Sequence, residues 1–172
     1  MTFGESVRKG VDILKLDRAT IREVANRPEA FTPALLINVI AGLAMWLYPF
    51  HLALHGIVTG PLFALGLLFV SGIVLHFAAT LLDGRGEYLT LLRTWGLSRV
   101  LGWAWAIPIA GMIVDLWSFV VAVVVLEEVY GLHRPQAVLA VVVPALAVLA
   151  LSAIAFLNLM VLGGLLSLGR FL

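Results

Sequence analysis

The chain has 172 residues, 62% of them hydrophobic and 12% charged, with a mean hydropathy of +1.09. That is more apolar surface than a globule of this length can hide, so the composition excludes a soluble domain and predicts an all-α, polytopic membrane helix bundle. A formal net charge of +1 leaves no electrostatic footprint for nucleic acid, and the absence of cysteine excludes disulfides and thiolate chemistry.

Residues 1–32 read as a cytoplasmic amphipathic segment. They hold six of the eleven Lys/Arg residues: Arg8, Lys9, Lys15, Arg18, Arg22 and Arg27. Val7, Val11 and Leu14 fall at helical spacing, and Ile21, Val24 and Ala25 repeat the pattern after an N-cap at Asp17. The basic residues suit the anionic headgroups of a bilayer surface. Such a charged, periodic start is unlike a cleavable signal peptide.

Residues 33–172 read as a five-helix membrane domain, because roughly 20 apolar residues carry a helix across a bilayer. The expected spans cover 33–51, 60–82, 95–108, 111–129 and 137–160. Pro33 suits the first turn of the first span, and Trp46, Tyr48 and Phe50 crowd its far end as an aromatic belt would. His51 and His55 follow at i, i+4, a spacing open to metal, but with no third ligand nearby they read as interfacial residues. The second span starts at Gly60-Pro61 and stops at Asp83-Gly84-Arg85-Gly86.

Between Arg99 and Glu127 two readings compete. One helix would leave Asp115 near the bilayer centre, at a cost. Two helices turning at Pro108–Gly111 put Asp115 near an interface, where the start of a helix favours an acid. The second reading is preferred. The last span follows a turn in which Gly131 caps one helix and Pro135 opens the next. It is longer than one crossing needs, leaving room for tilt or a bend at Pro144.

In this arrangement ten of the eleven Lys/Arg residues share one side, and Arg170 stands on the other. The positive-inside rule makes that side cytoplasmic, with the N-terminus in and the C-terminus out of a cell membrane. A four-span arrangement exchanges Arg134 and Arg170 and gives the same split, so charge fixes only the first two crossings.

LHFAATLLDGRGEYLTLLRTWGLSR (Leu75 to Arg99) resembles the signature of the Yip (Ypt/Rab-interacting) membrane protein family: a span ending in a His-containing turn, a glycine-rich knot, an aromatic and an amphipathic segment. DLWSFVVAVVVLEEVYGLHRPQAVLAVVVP is similar to a second family pattern, and REVANRPEAF looks like the lead-in to the first span. Asp83 stands where a first glycine is common. The resemblance is to compact, prokaryote-like members, and it implies five spans with a cytoplasmic N-terminus.

Candidate sites follow from the polar residues. Asp83, Arg85 and Glu87 form a dense knot that reads as a glycine-rich turn facing lipid phosphate; too few acids follow for two-metal phosphoryl chemistry. Glu127, Glu128, His133 and Arg134 are expected to pair with Arg85, Arg93 or Arg99, joining the two loops into a recognition surface. Asn38, His76 and Asn158 are the candidate intramembrane polar site; the two asparagines are also readable as interhelical bonds, and His76 as a neutral histidine bonded to a neighbouring backbone carbonyl. No catalytic, metal or cofactor motif is present, so no enzyme and no cofactor are expected. The leading expectation is a non-enzymatic scaffold or adaptor for other membrane proteins or a homo-oligomer. A small transport or lipid-handling protein comes second, and an accessory subunit of a larger complex third.

Overall fold

The computed structural model describes residues 1–46 and 56–168. Those residues form seven α-helices and no strand: α1 Phe3–Leu14, α2 Arg18–Ala25, α3 Phe31–Trp46, α4 Gly56–Leu81, α5 Tyr88–Ser98, α6 Pro108–Tyr130 and α7 Arg134–Leu168. Two 3-10 stretches, Pro28–Ala30 and Arg99–Ala106, continue into α3 and out of α5. Residues 1–141 make one compact unit and residues 142–172 a second.

Asp17 caps α2 as its position predicts. Its carboxylate accepts the Ala19 amide at 3.1 Å and the Thr20 hydroxyl at 2.6 Å. The two short helices bury their periodic apolar faces, with Ile13, Ile21 and Val24 fully enclosed. Those faces meet the bundle itself. Gly10 brings α1 so close to the Leu97 carbonyl that a Cβ would sit 2.5 Å from its oxygen, and Trp117 Nε1 donates to the Leu14 carbonyl at 2.8 Å.

Among the described residues four stretches are long and apolar enough to cross a membrane: Pro28–Met45, Gly56–Leu81, Ile109–Tyr130 and Arg134–Met160. The start of α4 differs from expectation, since the helix begins at Gly56 and carries Pro61 inside it. Its approach to α3 is tight there: a Cβ on Gly42 would lie 2.5 Å from the Gly60 carbonyl oxygen. The aromatic belt residues Tyr48 and Phe50, with His51 and His55, lie outside the described residues.

The segment expected to cross at 95–108 takes a different form from the other four. It is the end of the 11-residue α5 followed by the eight-residue 3-10 stretch. It runs alongside α3 in the same direction. Gly96 meets Ala34 and, six residues on, Gly102 meets Ala41; a Cβ on either glycine would fall 2.8 or 2.6 Å from the alanine Cβ. The chain then breaks at Ile107, which is extended (φ −121, ψ 111), and Pro108 opens α6. The turn falls ahead of the proline because Pro is best placed at the first helical position, where its missing N–H breaks no bond.

The far ends of α4 and α6 come together. The Arg85 amide donates to the Tyr130 carbonyl at 3.1 Å, and Gln136 Nε2 donates to the Leu82 carbonyl at 3.4 Å. The 23-residue α6 therefore begins about 34 Å away from the end at which α4 stops. In the second unit α7 continues to Leu168, and every residue from 146 to 160 is exposed. Lipid is the solvent that suits so apolar a surface.

Candidate functional site

The loop candidates singled out in the sequence lie where α4 and α6 end. Gly131 takes φ +67 and caps α6, and α7 starts at Arg134 with Pro135 in its first turn. Asp83 also adopts a left-handed conformation, φ +65, in the turn after α4. Gly84 and Gly86 press against Tyr130: a Cβ on Gly86 would lie 2.7 Å from the Val129 carbonyl oxygen and 2.8 Å from the Tyr130 ring. The two loops singled out in the sequence thus pack into one surface.

Glu127 and Glu128 have partners the sequence did not suggest. Arg18 of α2 donates to both carboxylates, and Arg22 Nε donates to Glu128. The acids are nearly enclosed, with side chains 8% and 9% exposed, while the Arg18 and Arg22 side chains remain 46% and 64% exposed. Arg134 stands farther off, its Nε 3.9 Å from Glu127 Oε1. Two of the three expected partners, Arg93 and Arg99, engage elsewhere. Arg93 donates to the Ala25 carbonyl at 3.1 Å, at the last turn of α2, where carbonyls lack helical partners and the dipole favours a cation. Arg99 pairs with Asp115 at 4.0 Å.

A second set of charges ties α1 to α2. Glu23 receives Lys9 at 2.5 Å and Arg27 at 2.7 Å, and Arg27 also lies 3.4 Å from Glu5. The Lys9 hydrogen bond holds the Glu23 carboxyl below its usual range, and the Thr20 hydroxyl does the same for Asp17. The two glutamates, Glu128 first, raise Arg18 above the ordinary guanidinium value.

Five of the seven loop candidates stay open on this surface: Asp83, Arg85, Glu87, His133 and Arg134 are exposed. Glu127 and Glu128 are instead taken up in fastening α2. The signal that sequence reading missed was a match of spacing. Arg18 and Arg22 lie at i, i+4 on one helical face, which suits two adjacent acids.

The intramembrane candidates have separate partners. Asn38 spends both amide hydrogens, on the Ala34 carbonyl at 2.8 Å and the Gly96 carbonyl at 3.0 Å. His76 Nδ1 lies 2.6 Å from the Tyr130 hydroxyl, beside the Tyr88 ring. Asn158 donates to the Ile154 carbonyl of its own helix at 2.8 Å. Among the described residues no group of three or more His, Asp or Glu side chains is arranged to hold a metal ion.

A family model described as the Yip1 domain matches residues 11–166. No curated protein and no solved structure matches the chain.

Proposed function

Because this chain belongs to the Yip1-domain family of membrane proteins, we propose that it acts as a non-enzymatic scaffold that binds other membrane proteins. Its recognition surface is the end where the 83–87 and 131–136 turns pack together. The observation that carries this reading is the division of labour there. Glu127 and Glu128 are neutralised by Arg18 and Arg22, while Asp83, Arg85, Glu87, His133 and Arg134 face outward on a surface held by backbone hydrogen bonds. A surface of fixed shape on which Asp83, Arg85, Glu87 and His133 make no ion pair among the described residues, and Arg134 only a loose one to Glu127, suits a protein partner, since little further ordering is required on binding.

In this reading the chain crosses the membrane five times, with the N-terminus in the cytoplasm and the C-terminus outside a cell membrane. Two facts support the third crossing. The segment from Tyr88 to Ala106 connects the α4 end of the bundle to the distant start of α6, and it keeps pace with α3 along the way. Its α and 3-10 turns together reach about 30 Å, a hydrocarbon thickness, because 3-10 geometry rises ~2 Å per residue. Eight of the eleven Lys/Arg residues, the six of the N-terminal segment with Arg85 and Arg134, lie on the inward side in this reading and favour that orientation.

The test is a photo-crosslinking residue placed at Glu87 and, separately, at His133, in native membranes. Recurrent adducts to a defined membrane protein, or to a second copy of this chain, are expected to disappear when Arg85 and Arg134 are both reversed to Glu. Adducts confined to lipid, from a folded protein, would refute the reading. Topology is checked independently. The sequence lacks cysteine, so a single cysteine at His133 is a unique label that an impermeant thiol reagent reaches only after cells are opened.

A further inference from the structure

Away from that recognition surface, α3, α4, α6 and the 3-10 stretch line a half-open pocket of about 140 Å³. Its walls carry Asn38, Arg99 and Asp115, and small residues such as Ala41, Gly42 and Ala64 leave the space open. Asn38 and Asp115 lie within stretches apolar enough to cross a membrane. An ion pair kept in such surroundings carries a desolvation cost, so its geometry should be good if its purpose is stability.

The geometry is loose. Arg99 Nη1 stands 4.0 Å from Asp115 Oδ1, and the guanidinium carbon lies 5.2 Å from the Trp95 ring centroid. A charge-assisted hydrogen bond measures about 2.7–2.9 Å. Among the described residues Arg99 donates no hydrogen bond, although a guanidinium carries five N–H donors. Both side chains keep access to the space, with exposures of 25% for Arg99 and 40% for Asp115. A carboxylate has two oxygens and about four lone-pair directions, so Asp115 can accept an ammonium alongside the partners it already has. Asn38 has committed both of its N–H groups, which leaves its carbonyl oxygen as a further acceptor.

The charge pattern selects the ligand. A simple anion drawn to Arg99 would meet Asp115, and a simple cation drawn to Asp115 would meet Arg99. A group that carries both charges satisfies both. The planar fork of Arg99 matches phosphate oxygens, and Asp115 matches an ammonium. The volume equals roughly that of five waters, room for a small head group and not for a whole lipid. We propose that this cavity binds an ammonium–phosphate zwitterion, either the head of an ethanolamine phospholipid or free phosphoethanolamine, with phosphate on Arg99 and ammonium on Asp115. The site is independent of the scaffold surface, which lies where α4 and α6 end.

The test uses the purified full-length protein, delipidated in detergent. It is titrated with phosphatidylethanolamine, phosphatidylglycerol and phosphoethanolamine, and retention is read by native mass spectrometry and thermal shift. Phosphatidylethanolamine or phosphoethanolamine is expected to bind at least about fivefold more tightly than phosphatidylglycerol. Binding of the lipid alone assigns the bilayer as the source; binding of the free compound alone assigns a soluble ligand. Ala64→Leu fills the cavity while keeping both charges, and Arg99→Gln removes the phosphate partner. Either variant, if folded, is expected to lose about fivefold or more of that retention. Equal retention of the ethanolamine and glycerol lipids, retention unchanged in the folded variants, or no binding by the parent protein overturns the proposal.

Discussion

Arg22 of α2 donates to the Glu128 carboxylate of α6, which also receives Arg18, so a nearly enclosed acid draws both cations from a helix 106 to 110 residues earlier. Removing one partner of a buried ion pair costs more than removing a surface pair, and here the arginines are about half exposed. Glu128→Gln is therefore expected to destabilise the protein by about 1–3 kcal/mol, read by thermal denaturation in detergent. Limited proteolysis supplies the second readout, since α1 and α2 should become the preferred site of cleavage. A variant as resistant as the parent would deny the ion pairs any part in fastening these helices.

Asn38 links α3 to the parallel 96–102 segment through the Gly96 carbonyl. Interhelical polar bonds within membranes are worth ~0.6 kcal/mol on average and up to ~1.7. Asn38→Leu is thus expected to cost about 1 kcal/mol in unfolding titrations with a denaturing detergent. A loss several times larger would mean that the amide does more than join two helices.

Two glycines at the candidate site should fail for different reasons. At Gly86 a methyl would strike the Val129 carbonyl and the Tyr130 ring at 2.7 and 2.8 Å, and a backbone oxygen has little freedom to retreat. Gly86→Ala is expected to cost about 1–3 kcal/mol and to loosen the packed turns. At Gly131 there is open space but φ is +67, so Gly131→Ala should cost only the ~1–2 kcal/mol of a left-handed L-residue. Circular dichroism melts of the two variants separate these sizes.

Acid should release the α1–α2 pair. Glu23 and Asp17 titrate below their usual range in the folded protein, through the Lys9 and Thr20 hydrogen bonds respectively. A carboxyl lowered by folding contributes stability above its unfolded pKa, and that contribution fades as pH falls through the folded value. Hydrogen exchange in residues 3–25 is therefore expected to rise below the ordinary carboxylate range while α4 and α6 stay protected. Lys9→Met should remove much of the pH dependence by taking away the main cause of the Glu23 shift.

Helix ends were the most legible features, because their chemistry is local. Asp17, Gly131 and Pro135 each act where their backbone preferences place them, whereas Pro108 opens α6 instead of lying in the turn expected at Pro108–Gly111. The glycine-rich knot was legible too, and Asp83 takes a left-handed φ that glycine would adopt freely. What remained hidden depends on distance along the chain. Nothing near Glu127 and Glu128 announces partners on α2, and an apolar Gly-, Ala- and Trp-rich run such as 99–106 carries no period that separates 3-10 from α geometry. The docking of α1 and α2 on the bundle was obscured for a related reason, since an amphipathic face reads alike whether protein or lipid covers it.

The arginines of α2 leave the ribosome long before their acids exist. At ordinary synthesis rates, 110 residues correspond to roughly 5–20 s. Through that interval Arg18 and Arg22 have no carboxylate from α6 to answer, and their charge is available to lipid phosphate and to the insertion machinery. The same two side chains can thus orient the nascent chain first and clasp the finished bundle afterwards.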